Sequence, residues 1–464
     1  MKRVICKFIF CCALLVNSLL ITLVYLNAKD NRLIALLLVV SLSLCLTYLN
    51  RFVNFLSPTF FFILFYLMLF YINPLSVMMF GWDSSEFSFL EYRTFTIYSS
   101  WGIHLFLLGH LLISNKQPLY FGKVYLKSLN RLKKILSLFL VFITIIVILI
   151  FLEYHTLNLF LLSRNSLRLE GGPIRLFVNY AGYLLSFMIF LVFFTVKKRS
   201  KKNLILWIFV IAFTMYVYIA GFRVRGYIVA HTIAIISGYY FSTVLDVEGT
   251  KLSIKKETIN KTKNVLVSMI ILAIIGISFR FFRGFLDPNM SLSKFQFNPE
   301  AFLRESINGG DLGYSDTVMK LFQLVPNIHG YLEGQSYYRL LFVTIPRFLW
   351  NNKPPNTEQI VGAWIKPDLE SVGYTLPPGV IGDLYINFGF LGIIAMFCYG
   401  IIFSLLDRKI NGVNILIWSS TPVCVFHFVR GGFTNSIIIT SFLIVCAIVI
   451  SRYLFSSKQQ NMGK

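Results

Sequence analysis

The chain has 464 residues, of which 56% are hydrophobic and only 14% charged, and it carries a formal net charge of +23. Soluble domains carry about a quarter charged residues, so the composition excludes an ordinary soluble enzyme. Apolar runs of about 20 residues alternate with short charged stretches, which is the pattern of membrane-spanning helices. A transmembrane barrel is excluded as well, because its strands alternate in polarity and these runs are continuous.

In chain order, Met1-Lys2-Arg3 and the apolar stretch to Leu20 look like a secretory leader. No small-residue cleavage site follows, and a second apolar run begins almost at once, so a retained first helix is expected. Spans are expected near 8–26, 33–49, 58–79, 95–113, 135–152, 174–196, 203–220, 226–245, 264–279, 379–405, 413–429 and 435–455. The expected fold is therefore all-α: one polytopic transmembrane domain over 1–464 with about 12 helices and a large helical loop, 280–378, between spans nine and ten. All seven cysteines lie in apolar segments, where a thiol behaves as a small hydrophobe, so neither disulfides nor a structural metal are expected.

An even number of spans puts both termini on one side, and basic residues choose that side. The stretches assigned to the cytoplasm hold 25 basic residues against four acids, and the outer stretches hold 18 against 16. Nearly all of the net charge is thus topology signal, and nucleic acid is excluded as a partner. Lys supplies 19 of the 25 inner basic residues, whereas Arg supplies 13 of the 18 outer ones. Topology needs only charge. A planar guanidinium is selected where carboxylate or phosphate is held at two oxygens, although snorkelling to lipid headgroups also accounts for arginines at helix ends.

The loop 280–378 holds nine basic and nine acidic residues. A connection this long is functional or has structure of its own. Asn298-Pro299-Glu300 reads as a helix start and Asn308-Gly309-Gly310 as its stop. Ser315 is expected to cap a second helix ending at Pro326, with Val318, Leu321, Phe322 and Val325 on one face. Tyr337 to Trp350 suits the membrane interface, and Asn351 to Pro378 reads as ordered loop.

Three glycine-flanked basic turns fall on the outer face: Gly221-Phe222-Arg223-Val224-Arg225-Gly226, Arg280-Phe281-Phe282-Arg283-Gly284 and Arg430-Gly431-Gly432. Backbone beside glycine can approach a phosphate while guanidinium groups bind its oxygens. With apolar spans to hold a lipid tail, these turns point to a polyprenyl-phosphate-linked substrate. Transfer of a sugar from a pyrophosphate requires stabilisation of the leaving charge and a base for the attacking hydroxyl. Asp383, just inside the tenth span, is the first candidate base, beside the reading of an acid favoured by its helix dipole. His329 and Glu333 in the loop are the others. His104, His110, His231 and His427 lie in spans and read as packing partners. There is no Walker loop, no GxGxxG after a strand and no HExxH pair, and the acids are too dispersed for a metal cluster.

The stretch Ile345-Pro346-Arg347-Phe348-Leu349-Trp350-Asn351-Asn352-Lys353-Pro354 resembles the end of the large periplasmic loop in Wzy-type O-antigen polymerases. Gly379-Val380-Ile381-Gly382-Asp383-Leu384-Tyr385-Ile386-Asn387-Phe388-Gly389-Phe390-Leu391-Gly392 is similar to the segment opening the following span in that family, whose acid is often Glu. The turns at Arg223/Arg225 and Arg430 are similar too. The resemblance implies a GT-C-like inverting glycosyltransferase of the bacterial inner membrane, active at the periplasmic face without nucleotide sugar, metal or other cofactor. It implies undecaprenyl-pyrophosphate-linked glycans as donor and acceptor, membrane lipid as solvent and a chain-length regulator protein as partner. Arg223, Arg225, Arg280, Arg283, Arg347 and Arg430 would bind pyrophosphate. The alternatives are an O-antigen ligase and a lipid-linked oligosaccharide flippase. The long neutral loop favours an enzyme over a flippase.

The charge asymmetry makes a direct prediction. Reporter fusions at Asn308 should show periplasmic activity and fusions at Lys464 cytoplasmic activity. Cytoplasmic activity at Asn308 would overturn the assignment of sides.

Overall fold

The computed structural model describes residues 2–27, 31–53, 57–81, 86–114, 124–126, 129–154, 184–193, 245–248, 251–254, 313–342, 354–370, 374–410 and 415–456, with short pieces and single positions elsewhere. Among them, six helices are long and apolar enough to cross a membrane: Ile5–Leu26, Arg32–Phe52, Pro58–Phe80, Phe89–Ile113, Gly379–Asp407 and Ser436–Leu454. The chain is a helical, multi-pass membrane protein. Helices also occupy the expected spans at 135–152 and 413–429. Those expected at 174–196, 203–220, 226–245 and 264–279 lie largely outside the described residues, apart from an apolar helix Leu184–Phe193.

The labelled elements are α1 (Lys2–Asn27), α2 (Asn31–Phe52), α3 (Pro58–Phe70), α4 (Ile72–Phe80), α5 (Phe89–Ile113), β1 (Val124–Leu126), α6 (Leu129–Tyr154), β2 (Leu245–Glu248) and β3 (Lys251–Ile254). They continue with α7 (Tyr314–Leu324), α8 (Gln335–Tyr338), α9 (Thr357–Ile365), α10 (Gly379–Phe388), α11 (Ala395–Ile410), α12 (Ile415–Arg430), α13 (Phe433–Leu454) and β4 (Phe455–Ser456). The chain divides into two compact units, Met1–Pro118 with Phe297–Lys409 and Val425–Ile438, and Leu119–Gln296 with Ile410–Cys424 and Ile439–Lys464.

In the first unit the helix starts follow local chemistry. Ser57 caps α3, its Oγ accepting from Phe60 N at 3.1 Å, with Pro58 preset for the first turn. Ser88 and Glu91 form a capping box on α5. α1 exposes Phe8, Leu19 and Leu23, the surface expected against lipid, whereas α3 is buried on nearly every face. Without a hydrophobic drive between helices in lipid, close backbone approach at small residues and interhelical hydrogen bonds hold the bundle. Both occur here. A Cβ on Gly109 would collide with the Phe397 carbonyl, and one on Gly400 with the Phe106 carbonyl, so α5 and α11 touch backbone to backbone. His104 Nδ1 meets Ser18 Oγ at 2.5 Å and its Nε2 meets Ser41 Oγ at 2.6 Å, tying α5 to α1 and α2. His110 Nδ1 meets Tyr48 OH at 2.5 Å and its Nε2 meets Asp407 at 3.2 Å. His104 and His110 are therefore satisfied packing partners.

The span expected over 379–405 is present as Gly379–Asp407, but its helix is interrupted. An unbroken helix over Gly379–Asp407 would be about 43 Å long at ~1.5 Å per residue, against a hydrocarbon core of about 30 Å. Gly389, with φ 63° and ψ −154°, ends α10 in a conformation that only glycine adopts readily. A 3₁₀ turn, Gly389–Ile394, then leads into α11, and Gly392 lies against the Leu384 carbonyl. α10 is buried from Gly379 to Asn387, with Tyr98 of α5 donating to Ile381 O at 3.4 Å and Val318 and Leu321 of α7 against Gly382.

The two ends of this bundle are distinct. At one, Lys7 Nζ donates to Leu111 O at 3.0 Å and to Ser114 O, capping the C-terminus of α5, while Asp407 accepts from Thr59 N at 3.3 Å. At the other, the loop segment packs on α4 and α5: Ser315 Oγ donates to Asn73 Oδ1 at 2.8 Å, and Gln323 donates to Glu91. Ser315 therefore does not cap α7, which starts one residue earlier with Gly313 before it. The first expected loop helix, capped at Asn298 and stopped at Asn308, lies largely outside the described residues. The stretch expected as loop after Asn351 contains α9, started by a capping box of Asn356 and Gln359.

The second unit adds a feature that an all-α expectation misses. β2-β3-β1-β4 form a small antiparallel sheet, with Glu248 opposite Lys251 and Tyr125 opposite Ser456. In the same unit Arg131 of α6 donates to Tyr453 O at 3.3 Å.

The α5–α11 crossing sets a test. Gly109→Leu and Gly400→Leu should each cost more than the about 1–3 kcal/mol of ordinary overpacking, because backbone blocks the way. Thermal unfolding of the detergent-purified chain should show a large loss for both, and unchanged melting in either would contradict this crossing.

Candidate functional site

The site is built where the loop meets the start of α10. Glu333 adopts a left-handed backbone (φ 47°) and Gly334 follows at φ 86°, turning the chain into α8 and aiming Ser336 inward. Leu332 N donates to Ile386 O at 2.8 Å, and Tyr385 OH donates to Val325 O at 2.7 Å, so the segment 325–338 is strapped to α10.

Asp383 lies at the centre, 2% exposed. Its Oδ1 accepts from Ser336 Oγ at 3.0 Å, and its Oδ2 accepts from Phe433 N, the first amide of α13, at 3.2 Å. Asn387, one turn on, donates to Ser336 Oγ at 2.8 Å and to Asp383 O at 2.7 Å. Thr357, at the start of α9, donates to Ser336 Oγ at 3.0 Å. The Ser336 hydroxyl thus uses its donor and both acceptor positions. Beside it, Tyr337 packs on Phe433 at 4.5 Å between ring centroids, and its hydroxyl meets that of Tyr399 at 3.3 Å. Burial, with Asp383 nearby, pushes the Tyr337 phenol well above its ordinary range.

Arg430 ends α12 half-buried, its guanidinium 5.6 Å over the Tyr314 ring and 5.9 Å over that of Phe426. The diglycine that follows lets α9 approach: a Cβ on Gly432 would stand 3.2 Å from Thr357 Cβ. Of the other arginines expected to bind phosphate, Arg223, Arg225, Arg280, Arg283 and Arg347 lie outside the described residues. His329 stacks on Trp364 with centroids 4.5 Å apart and planes 8° off parallel, half-buried at the loop surface. Glu333 is exposed. The loop and the turn that follows Arg430 are thus brought to Asp383, while His329 and Glu333 share the strapped segment without being hydrogen-bond partners of Asp383.

The sequence did not single out Ser336, Thr357 or Asn387. Ser336 gave no signal, because its partner is 47 positions away. Asn387 stands inside the Gly379–Gly392 motif, one helical turn from Asp383. Asp316 lies in the first turn of α7, where burial and then nearby Glu86 push its carboxyl up to about 7, against hydrogen bonds from Ser315 and Tyr92. Arg339 is buried as well, at 8% exposure.

No family model matches the chain, and neither does any curated protein or solved structure.

Asp316 yields a pH prediction. Its folded pKa lies above the ordinary carboxylate value, so the folded state holds a proton that the unfolded chain has lost, and stability falls as pH rises from about 4 to about 7. Melting temperatures at pH 5 and pH 8 should differ less in Asp316→Asn than in the wild type. An unchanged difference would show that Asp316 ionises normally.

Proposed function

We propose that this chain polymerises lipid-linked oligosaccharide repeat units, joining undecaprenyl-pyrophosphate-linked glycans at the periplasmic face of the bacterial inner membrane. The observation that carries this reading is the meeting of the long loop, the Arg430 turn and the start of α10 around Asp383. A carrier of lipids alone has no need of so long a loop strapped over one end of its helices. The resemblance of Ile345–Pro354 and Gly379–Gly392 to Wzy-type polymerases supports the same class, with a ligase as the nearest alternative.

The two-ended bundle supports the assignment of sides: Lys7, Ser114 and Asp407 gather at one end, and the loop segment at the other. The sheet adds to this in its own unit, because its strands come from three stretches that the basic residues assign to the cytoplasm. In this reading Arg430 holds the pyrophosphate oxygens while its plane rests on Tyr314, a geometry that an ammonium cannot reproduce. The acceptor hydroxyl attacks the anomeric carbon of the donor, its proton passes to a base, and undecaprenyl pyrophosphate leaves with the bonding electrons. Of the three candidate bases, His329 and Glu333 lie on the loop where a sugar hydroxyl can reach them, whereas Asp383 is enclosed; of the two, the imidazole is the commoner general base.

The test is the glycan made by a strain lacking the chain. Lipid A–core bearing a single repeat unit is expected. Bare core with long lipid-linked chains would indicate a ligase, and units trapped inside a flippase. Complementation with Arg430→Lys should shorten the polymer almost as severely as Arg430→Ala does, and His329→Ala should slow elongation by about 10²–10⁴-fold. Full polymer from Arg430→Lys would reduce Arg430 to a headgroup contact.

A further inference from the structure

We propose that Asp383, Ser336, Asn387 and Thr357 form a clasp that positions Arg430, with Asp383 acting through the backbone of the Arg430–Phe433 turn and not on the substrate. The proposal rests on the polymerase reading for the role of Arg430, and on geometry alone for the clasp. Four separate segments converge on it: α8 through Ser336, α9 through Thr357, α10 through Asp383 and Asn387, and the start of α13 through Phe433 N.

The carboxylate caps α13 from a different helix, satisfying an amide that α13 cannot satisfy itself. The turn between α12 and α13 is held at several further points. Gly431 N donates to His427 O at 2.8 Å, and Ser436 Oγ lies 2.6 Å from His427 O and 2.8 Å from Gly432 O. On its outer flank Thr357 and Glu358 press on the diglycine, so a side chain at Gly432 would push α9 away. Arg430 is three residues before Phe433, at one edge of this pinned turn. Its orientation over Tyr314 follows from where the turn is held. A base, by contrast, must offer an oxygen to the incoming hydroxyl. Both oxygens of Asp383 accept protein donors, and Ser336, Thr357, Asn387 and Asp383 are each at most 4% exposed. The Asn variant of Asp383 cannot replace it: accepting from Phe433 N turns its amide nitrogen toward a Ser336 hydroxyl that already accepts two hydrogen bonds.

The experiment uses the purified full chain. Deuterium exchange of the peptide containing Phe433 should rise at least about tenfold in Asp383→Asn and in Ser336→Ala, with α1 and α2 unchanged. In elongation with a lipid-linked repeat unit, Ser336→Ala and Arg430→Lys should each raise the apparent KM, and the double variant should be no worse than Arg430→Lys alone, because both changes remove one function. Additive effects, or wild-type exchange at Phe433 in both variants, would overturn the proposal. So would an Asp383→Asn that abolishes turnover beside a Ser336→Ala of full activity, the pattern of a base. Should Asp383→Asn not fold, Ser336→Ala and Thr357→Val carry the same exchange test. Absence of elongation by the wild type would remove the polymerase reading, and the exchange result would still decide the clasp.

Discussion

The buried carboxylate of Asp383 is the constraint on which the first unit depends. A carboxylate at 2% exposure is tolerated only when its oxygens are hydrogen-bonded. The partners that satisfy it come from the loop and from the amide of Phe433. Burying this group therefore requires the loop, α10 and the α12–α13 turn to be in place together. The loop gains a fixed position over the helix ends that its own short helices could not give it.

The surroundings make that arrangement possible. Gly389 ends α10 after ten residues, and α10 is enclosed by α5, α7 and the loop. Gly109 and Gly400 bring α5 and α11 into backbone contact beneath it. Deeper in the bundle, His104 and His110 fill both ring nitrogens with hydroxyl or carboxylate partners on other helices. Intramembrane polar groups are functional candidates until partners are found, and here the partners are interhelical ties.

Much of this was legible in the sequence where one physical signal dominates. The spans at 33–49, 58–79 and 95–113 coincide with helices because long apolar runs leave few alternatives in lipid. Hydropathy locates the span at 379–405 but does not register the interruption of its helix at Gly389. The capping box at Asn356 and Gln359 was readable but lay hidden in a stretch rich in proline and glycine. The small sheet pairs stretches more than a hundred residues apart, which local pattern does not reveal. At the site, Asp383 and Arg430 stood out as charge at a membrane boundary. Ser336 did not, because a serine acquires meaning only from what folding places beside it.

The first unit joins a helical membrane body, a loop locked over one of its ends and an arginine held at the edge of a pinned turn. We propose that this assembly lengthens a glycan on a lipid carrier. The most direct measurement is reconstitution of the purified chain in liposomes with undecaprenyl-pyrophosphate-linked repeat units, nucleotide sugar and other proteins being left out. Lipid-linked products longer by whole repeat units should accumulate, with release of undecaprenyl pyrophosphate. Repeat units that cross the bilayer unchanged, with no elongation, would contradict this proposal.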